Sequence, residues 1–362
     1  MISRVADHCF WFGRYLERAE SAARVLHVTS NLALDAELPP QQCWLPVVIV
    51  SGEREQFLAK HGEEAASDGE IVQEYLTWAE DNLSSLARSI SAARDNARSI
   101  REVVSLEAFQ TINELYLWTH GPEARATYAR NRYDFYRHIR QATQLVLGLL
   151  RSTMLHDTPL DFIWLGTMLE RVGQTARVLD VHHHAFTTLP ARHQVIETAL
   201  WLSLLRACSG FEPFMKRSQG RVTGDAVAAF LILEPAFPRS IRYCVHAAFD
   251  RLSSIRPPGA QRLPGADALA RLGELDGYLR QKSAETLSGT IHDLLTHVVD
   301  ETAAVCNDIA RELFGIAPAP SPSQAPGRTS SPSLTPLPPL PPLPPLPSLA
   351  QSQSQSSSRS SA

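Results

Sequence analysis

Two Glu-Arg dipeptides, Glu17-Arg18 and Glu170-Arg171, are the residues of this sequence best placed to do chemistry. A carboxylate can serve as an acid, a base or a metal ligand, and a guanidinium can hold a phosphate or a carboxylate with two parallel hydrogen bonds. Each dipeptide lies in a longer block. Residues 11–26 read WFGRYLERAESAARVL and residues 164–179 read WLGTMLERVGQTARVL, nine of sixteen positions being identical at an offset of 153. Arg24 and Arg177 also match at this offset, but Gly173 stands where the first block has Glu20.

On a helix, Arg14, Glu17, Glu20, Ser21 and Arg24 of the first block fall on one face. Trp11, Tyr15, Leu16, Ala19, Ala22, Ala23 and Leu26 fall on the other, and Arg18 falls at the edge of that apolar arc. Adjacent Glu17 and Arg18 point about 100° apart and cannot pair with each other. Two arrangements satisfy them. In one, Glu17 pairs with Arg171 and Glu170 with Arg18 across a helix seam, with Gly13 and Gly166 permitting close approach. In the other, both carboxylates and both guanidiniums line a shared cleft that binds or reacts. Glu20 and Arg24 have i,i+4 spacing and pair within their own helix.

Two weaker constellations accompany the blocks. Asp180, His182, His183 and His184 lie at the end of the second block's helix, with His156 and Asp157 in the preceding loop. Asp180 has metal-ligand spacing to His183 and His184. The first block offers only His27 at the place of Asp180, however, and histidines at a helix end also complement its dipole, so no metal site is expected. In the run from Phe237 to Arg242, Pro238 suits a helix first turn. That would set Arg239 and Arg242 on one face as a weak anion site, with simple surface exposure as the plainer reading.

The elements that must position these residues are helices. Apolar residues recur at spacings of three and four almost throughout residues 1–315, and Pro and Gly punctuate them at Pro39-Pro40, Gly121-Pro122, Pro190, Gly220 and Pro257-Pro258-Gly259. The run Val47-Val48-Ile49-Val50 is the one segment that reads as either strand or buried helical turn. Weaker echoes follow the blocks: Gly69, Val72, Tyr75 and Leu76 against Gly224, Val227, Phe230 and Leu231, then Ser85, Ala92, Ala93 and Asp95 against Ser240, Ala247, Ala248 and Asp250. The expected fold is therefore all-α, a duplicated helical bundle whose halves, near 1–152 and 153–315, are related by a pseudo-two-fold. Residues 316–362 are Pro-, Ser- and Leu-rich and are expected to be a disordered tail. Leu337, Leu340, Leu343 and Leu346 keep a polyproline II period there.

Composition narrows the function. A net charge of −4 supplies no basic field for nucleic acid or anionic lipid. The five cysteines, Cys9, Cys43, Cys208, Cys244 and Cys306, are widely spaced without a CxxC, so neither a disulfide framework nor a zinc knuckle follows. Residues 1–20 lack the apolar core of a signal peptide, and the longest apolar runs are too short to span a bilayer, so a cytoplasmic location is expected. GxGxxG, Walker A, GxSxG and HExxH patterns are absent, and no cofactor is expected.

The motif residues resemble the bacterial alpha-E family, a helical domain of unknown biochemical function with a recurring Glu-Arg motif. The resemblance is carried by Ser3-Arg4-Val5-Ala6-Asp7, by Gly13-Arg14-Tyr15-Leu16-Glu17-Arg18-Ala19-Glu20 and by Ala93-Arg94-Asp95-Asn96-Ala97-Arg98. Further matches are Ile112-Asn113-Glu114-Leu115-Tyr116-Leu117, Leu169-Glu170-Arg171 with Gln174-Thr175-Ala176-Arg177, and Phe237-Pro238-Arg239-Ser240. Thr167-Met168 depart from the family's pattern before the second Glu-Arg, as does Gly173. The resemblance implies a setting: such proteins accompany a circularly permuted ATP-grasp protein, often with a transglutaminase-like protease nearby. ATP-grasp enzymes make amide bonds through acyl phosphates. Two functions follow as expectations, a non-catalytic accessory subunit of such a ligase, or an enzyme using a Glu17/Glu170 and Arg18/Arg171 cleft for amide transfer or hydrolysis.

Overall fold

The computed structural model describes residues 3–316 apart from 36–38, 188–193, 219, 221, 258, 260–262 and 288. The leucine-bearing Pro-rich segment lies outside the described residues. Among those described, every regular element is helical. The helices are α1 (Ser3–Asp35), α2 (Pro40–Ser51), α3 (Arg54–His61), α4 (Gly69–Trp78), α5 (Leu86–Ser99), α6 (Leu106–His120), α7 (Pro122–Arg130) and α8 (Arg132–Thr153). They continue with α9 (Thr158–Thr187), α10 (Gln194–Ala207), α11 (Phe211–Arg217), α12 (Gly224–Leu233), α13 (Ile241–Ile255), α14 (Ala266–Arg280), α15 (Ala284–Leu287) and α16 (Ile291–Ile309). None of them is long and apolar enough to cross a membrane.

The two longest helices, α1 and α9, carry the two sequence blocks and form the centre of the bundle. They pack on each other, and around them α1 meets α5 and α8 while α9 meets α13 and α16. Contacts between the pair keep a sequence separation of 150 to 156, from Phe10 with Gly166 and Gly13 with Ile163 to Arg18 with Glu170 and Glu17 with Arg171, so the helices run side by side in the same direction. Their closest approach is at the glycines. A Cβ on Gly13 would stand 2.0 Å from the carbonyl oxygen of Ile163, and one on Gly166 would stand 2.1 Å from that of Phe10. Any side chain at either position would force the two backbones apart.

Outer helices are set by local caps. Asp68, Ser85, Ser105, Asn131, Thr223 and Ser240 each accept a hydrogen bond from a first-turn backbone N–H of the helix they precede. The apolar run at 44–50 resolves as helix α2. Pro40 opens it, Gly52 closes it in the left-handed region, and Val47, Val48 and Val50 are buried. Only Leu45 and Ile49 of the run are partly exposed, and a run so largely buried shows almost no helical period, which is why sequence alone left it open. Gly69 opens α4 against the indole of Trp44, and Gly224 opens α12 against the indole of Trp201. A Cβ at either glycine would fall within 2.5 and 2.6 Å of the ring.

The start of α13 corrects one expectation. Pro238 does not enter the helix first turn. It lies in the preceding turn, and Ser240 is the N-cap, with its hydroxyl accepting from the Tyr243 N–H. Arg239 therefore sits outside the helix and does not share a helical face with Arg242.

Candidate functional site

The charged faces of the two blocks meet in the core between α1 and α9. Glu17 and Glu170 are 0% and 1% exposed, and Arg14, Arg18, Arg24, Arg171 and Arg177 are all buried with them. Such charges persist in a core only when paired and hydrogen-bonded. Arg18 holds Glu170 bidentately, Nε donating to Oε1 at 2.8 Å and Nη2 to Oε2 at 3.0 Å. Arg14 Nε donates to the same Oε2 at 2.9 Å, and Gln174 Nε2 donates to Oε1 at 3.2 Å. Across the seam, Arg171 Nη2 donates to Glu17 Oε2 at 2.7 Å and Ser21 Oγ to Glu17 Oε1 at 3.2 Å. The pairs Glu17–Arg171 and Glu170–Arg18 are thus reciprocal, and Ser21 and Gln174 repeat one role four residues beyond each glutamate.

The second block carries Thr167 where the first has Arg14, so Glu17 lacks an arginine from that position. Arg239 takes the place. Its Nη1 donates to Glu17 Oε1 and its Nη2 to Glu20 Oε2, both at 2.7 Å. Glu20 also pairs with Arg24 on its own helix and accepts from Gln144 Nε2 of α8 at 3.0 Å. The loop is fixed in turn by Arg171, whose Nη1 donates to the Pro238 carbonyl, and by Thr175, whose hydroxyl donates to the Arg239 carbonyl. Arg242 takes no part in this network. The suggested Arg239/Arg242 anion site is replaced by an internal ion pair in which Arg239 alone reaches the buried carboxylates. Its partners lie more than two hundred residues earlier in the chain, and no local pattern pointed to them.

Electrostatics fix the protonation states. Burial pushes Glu17 up, but Arg171, Arg239 and Arg24 pull its carboxyl down to about 2. Burial likewise opposes ionisation of Glu170, and Arg18, Arg14 and Arg177 overcome it, holding that carboxyl far below the usual range. Both are carboxylates at neutral pH with both oxygens occupied by donors. Neither has a proton to give, and both are closed to solvent. The thiols offer no nucleophile either, because burial raises all five, Cys9, Cys208 and Cys244 to about 12.

Positive charge exceeds negative here. Three carboxylates, Glu17, Glu20 and Glu170, face six guanidiniums, those of Arg14, Arg18, Arg24, Arg171, Arg177 and Arg239. Burial together with the neighbouring Arg239 and Arg140 lowers the pKa of Arg24. His27, one turn further along α1, is held down to about 4 by burial and by Arg140, Arg24 and Arg137, so its ring is neutral. Its Nδ1 accepts from Arg140 Nη1 at 3.1 Å.

The histidine constellation does not converge. Asp180 contacts His292 Nδ1 of α16 at 2.9 Å, and His182 bonds the Val178 carbonyl within its own helix. Among the described residues no three His, Cys, Asp or Glu side chains gather closely enough to hold a metal ion.

Residues 1–314 match the family model of the Alpha-E domain, described as a predicted alpha-helical domain with a conserved ER motif. Relatives in Mycobacterium bovis and in two strains of Mycobacterium tuberculosis, each described as an uncharacterized protein, are 24% identical over 338 residues. The alignment covers 87% of this chain and 36% of each relative, so the chain spans about a third of the length of the curated relatives it matches. No solved structure matches it. The chain belongs to the Alpha-E family, and its two Glu-Arg dipeptides are the paired residues at the centre of the bundle.

Proposed function

We propose that this Alpha-E protein is a non-catalytic accessory subunit that acts in the cytoplasm beside an ATP-grasp amide ligase in the synthesis or modification of a small peptide, with a transglutaminase-like protease as a further partner. The observation that carries the non-catalytic part is the closure of the Glu-Arg network. Glu17 and Glu170 are ionised, saturated with donors and inaccessible, so they hold two long helices in register and leave the reaction to another protein. The partner is taken from the family resemblance. Mycobacterial relatives nearly three times the length of the matched segment add support, since in them this domain is joined to much additional chain.

We further infer that the bundle arose by tandem duplication, with halves near 1–152 and 153–315. The reciprocal Glu17–Arg171 and Glu170–Arg18 pairs, the reciprocal Gly13 and Gly166 contacts, the matched Gly69–Trp44 and Gly224–Trp201 contacts and the matched caps Ser85 and Ser240 all support it.

The test is a pull-down of the tagged full chain from its native cells, at low and at moderate salt, with mass spectrometry of what is retained. Stoichiometric recovery of an ATP-grasp protein is expected, and the pair should consume ATP. Recovery of the chain alone at both salt levels would overturn the accessory role. Amide transfer or hydrolysis by the isolated chain, abolished by Glu170→Gln in a protein that still folds, would establish the catalytic alternative.

A further inference from the structure

A groove lies along α4, between the end of α3 on one side and α7 with the start of α8 on the other. Its volume is about 590 Å³, inside the roughly 300–1,000 Å³ typical of small-molecule sites. Ile71, Tyr75 and Ala79 recur every fourth residue and so share one face of α4, and with Trp78 they form the floor. Tyr75 and Trp78 are buried, and Tyr128 and Phe135 hold the Trp78 ring at centroid distances of 5.6 and 5.2 Å, so the floor is a fixed part of the fold.

Two ion pairs form the wall toward α7 and α8, and they differ. Glu70 gives both carboxylate oxygens to Arg132, which donates through Nη1 and Nη2, so that pair is closed. Glu74 accepts from Arg125 Nη1 at Oε1 alone, at 2.7 Å, and this is the one side-chain hydrogen bond that either residue makes among the described residues. Both side chains are half exposed, Arg125 at 54% and Glu74 at 52%, so the unused edge of each is open to solvent. The Arg125 guanidinium lies 4.0 Å from the Trp78 ring centroid, and the ring together with Glu74 sets its orientation. Lys60, on the opposite wall, is already held by Asp81 at 2.7 Å.

The two open edges select the ligand. Arg125 presents donors at Nε and Nη2, which match the two oxygens of a carboxylate, and Glu74 presents an acceptor at Oε2 beside them. A ligand with only a carboxylate would bring it up against Glu74, and one with only an ammonium would bring it up against Arg125. A ligand with both groups close together satisfies both edges and leaves the ion pair intact. An α-amino acid is such a ligand, because its ammonium and carboxylate sit on one carbon. Its side chain then falls on the floor of Ile71, Tyr75, Trp78 and Ala79, which accepts apolar and aromatic groups.

We propose that the groove along α4 binds an α-amino acid with free amino and carboxyl groups and an apolar or aromatic side chain, its carboxylate held by Arg125 and its ammonium by Glu74. Binding needs no partner protein. The inference rests on the accessory role proposed above only for what the amino acid is used for, and a titration of the isolated chain is a separate result from the pull-down.

The full chain is titrated with L-phenylalanine, L-leucine, N-acetyl-phenylalanine and phenylalanine amide, and binding is read by saturation-transfer NMR and calorimetry. Saturable binding of phenylalanine and leucine is expected, and blocking either end of phenylalanine should weaken it by about tenfold or more. Glu74→Gln should weaken phenylalanine without weakening N-acetyl-phenylalanine, which has no ammonium to lose. Arg125→Gln should weaken phenylalanine without weakening its amide, which has no carboxylate. Arg130→Gln, exposed on the same helix and outside the groove, should change neither. All three changes are at exposed positions and should leave the melting temperature close to that of the natural chain, so a lost ligand is not a lost fold. Failure of phenylalanine and leucine to bind, or a blocked form binding as tightly as free phenylalanine, would overturn the proposal. So would unchanged binding of phenylalanine in both Glu74→Gln and Arg125→Gln.

Discussion

Arg18 of α1 grips Glu170 of α9 with two hydrogen bonds of 2.8 and 3.0 Å, and Arg171 of α9 returns the contact to Glu17 of α1 at 2.7 Å. Each Glu-Arg dipeptide thus points its two members in different directions, and each member finds its counterpart on the other helix. The contact depends on register. A shift of one helix by a single residue would turn both pairs about 100° away from each other, so the network selects one alignment of the two central helices.

Removing one member leaves buried charge behind. Glu17→Gln strips Arg171 of its carboxylate and Arg239 of one of its two, and should cost about 3–5 kcal/mol, measured by chemical denaturation. Replacing Glu170, Arg14, Arg18 and Arg177 together by apolar residues of similar volume should cost far less, because the carboxylate then leaves together with the three arginines around it. A loss as large as that of Glu17→Gln would show that the pairs contribute stability beyond register.

Glycine substitutions separate close approach from helix propensity. Gly13→Ala drives a methyl group into the Ile163 carbonyl and should cost about 3 kcal/mol or more, at the upper end of overpacking effects. Gly148→Ala, exposed on α8 with nothing within 4 Å of the added methyl, should stabilise by about 0.5–1 kcal/mol. Paired denaturation curves check both signs.

Arg239 and Arg242 lie three residues apart with different roles. Arg239→Ala should cost about 2–4 kcal/mol, because it uncovers Glu17 and Glu20 in the core. Arg242→Ala should fall within about 0.5 kcal/mol of the natural chain. Equal effects would place Arg239 outside the network.

Acid should unfold the protein in two stages. His27 has a folded pKa of about 4 against an ordinary 6.5, so the unfolded chain binds more protons between those values and stability falls as pH drops through that window. The contribution of His27 is about 1–2 kcal/mol by pH 5. Glu17, at about 2, and Glu170, lower still, add stability that is complete above their ordinary value of 4.5 and is lost as pH falls toward the folded values. Stability measured from neutral to acid pH should show both stages, and His27→Gln should remove much of the first and none of the second.

The helical class could be read from the sequence, because helix period is a local pattern, and the 153-residue offset offered the reciprocal pairing as one of two arrangements, the other being a shared cleft. The face assignment of Arg14, Glu17, Glu20 and Arg24 also follows from helix geometry alone. What could not be read was supplied by tertiary contact. Arg239 looks like an exposed residue in its turn, and only the packing of α13 on α9 carries it to Glu17. The α2 run is buried on most of its circumference and loses its period. Gly173 appeared only as a departure from the first block, and its consequence is that Arg177 lacks the partner four residues earlier that Arg24 has and is drawn to Glu170 instead.

The central claim is that Glu17 and Glu170 are permanently ionised members of a structural clasp. Selective carbon-13 labelling of glutamate carboxyls, with assignment through Glu17→Gln and Glu170→Gln, reports their protonation directly. Neither resonance should move between about pH 8 and about pH 4, a range in which ordinary glutamates begin to titrate. A titration of either one near neutral pH would identify a carboxyl able to exchange a proton, and would contradict the structural reading in favour of acid–base chemistry.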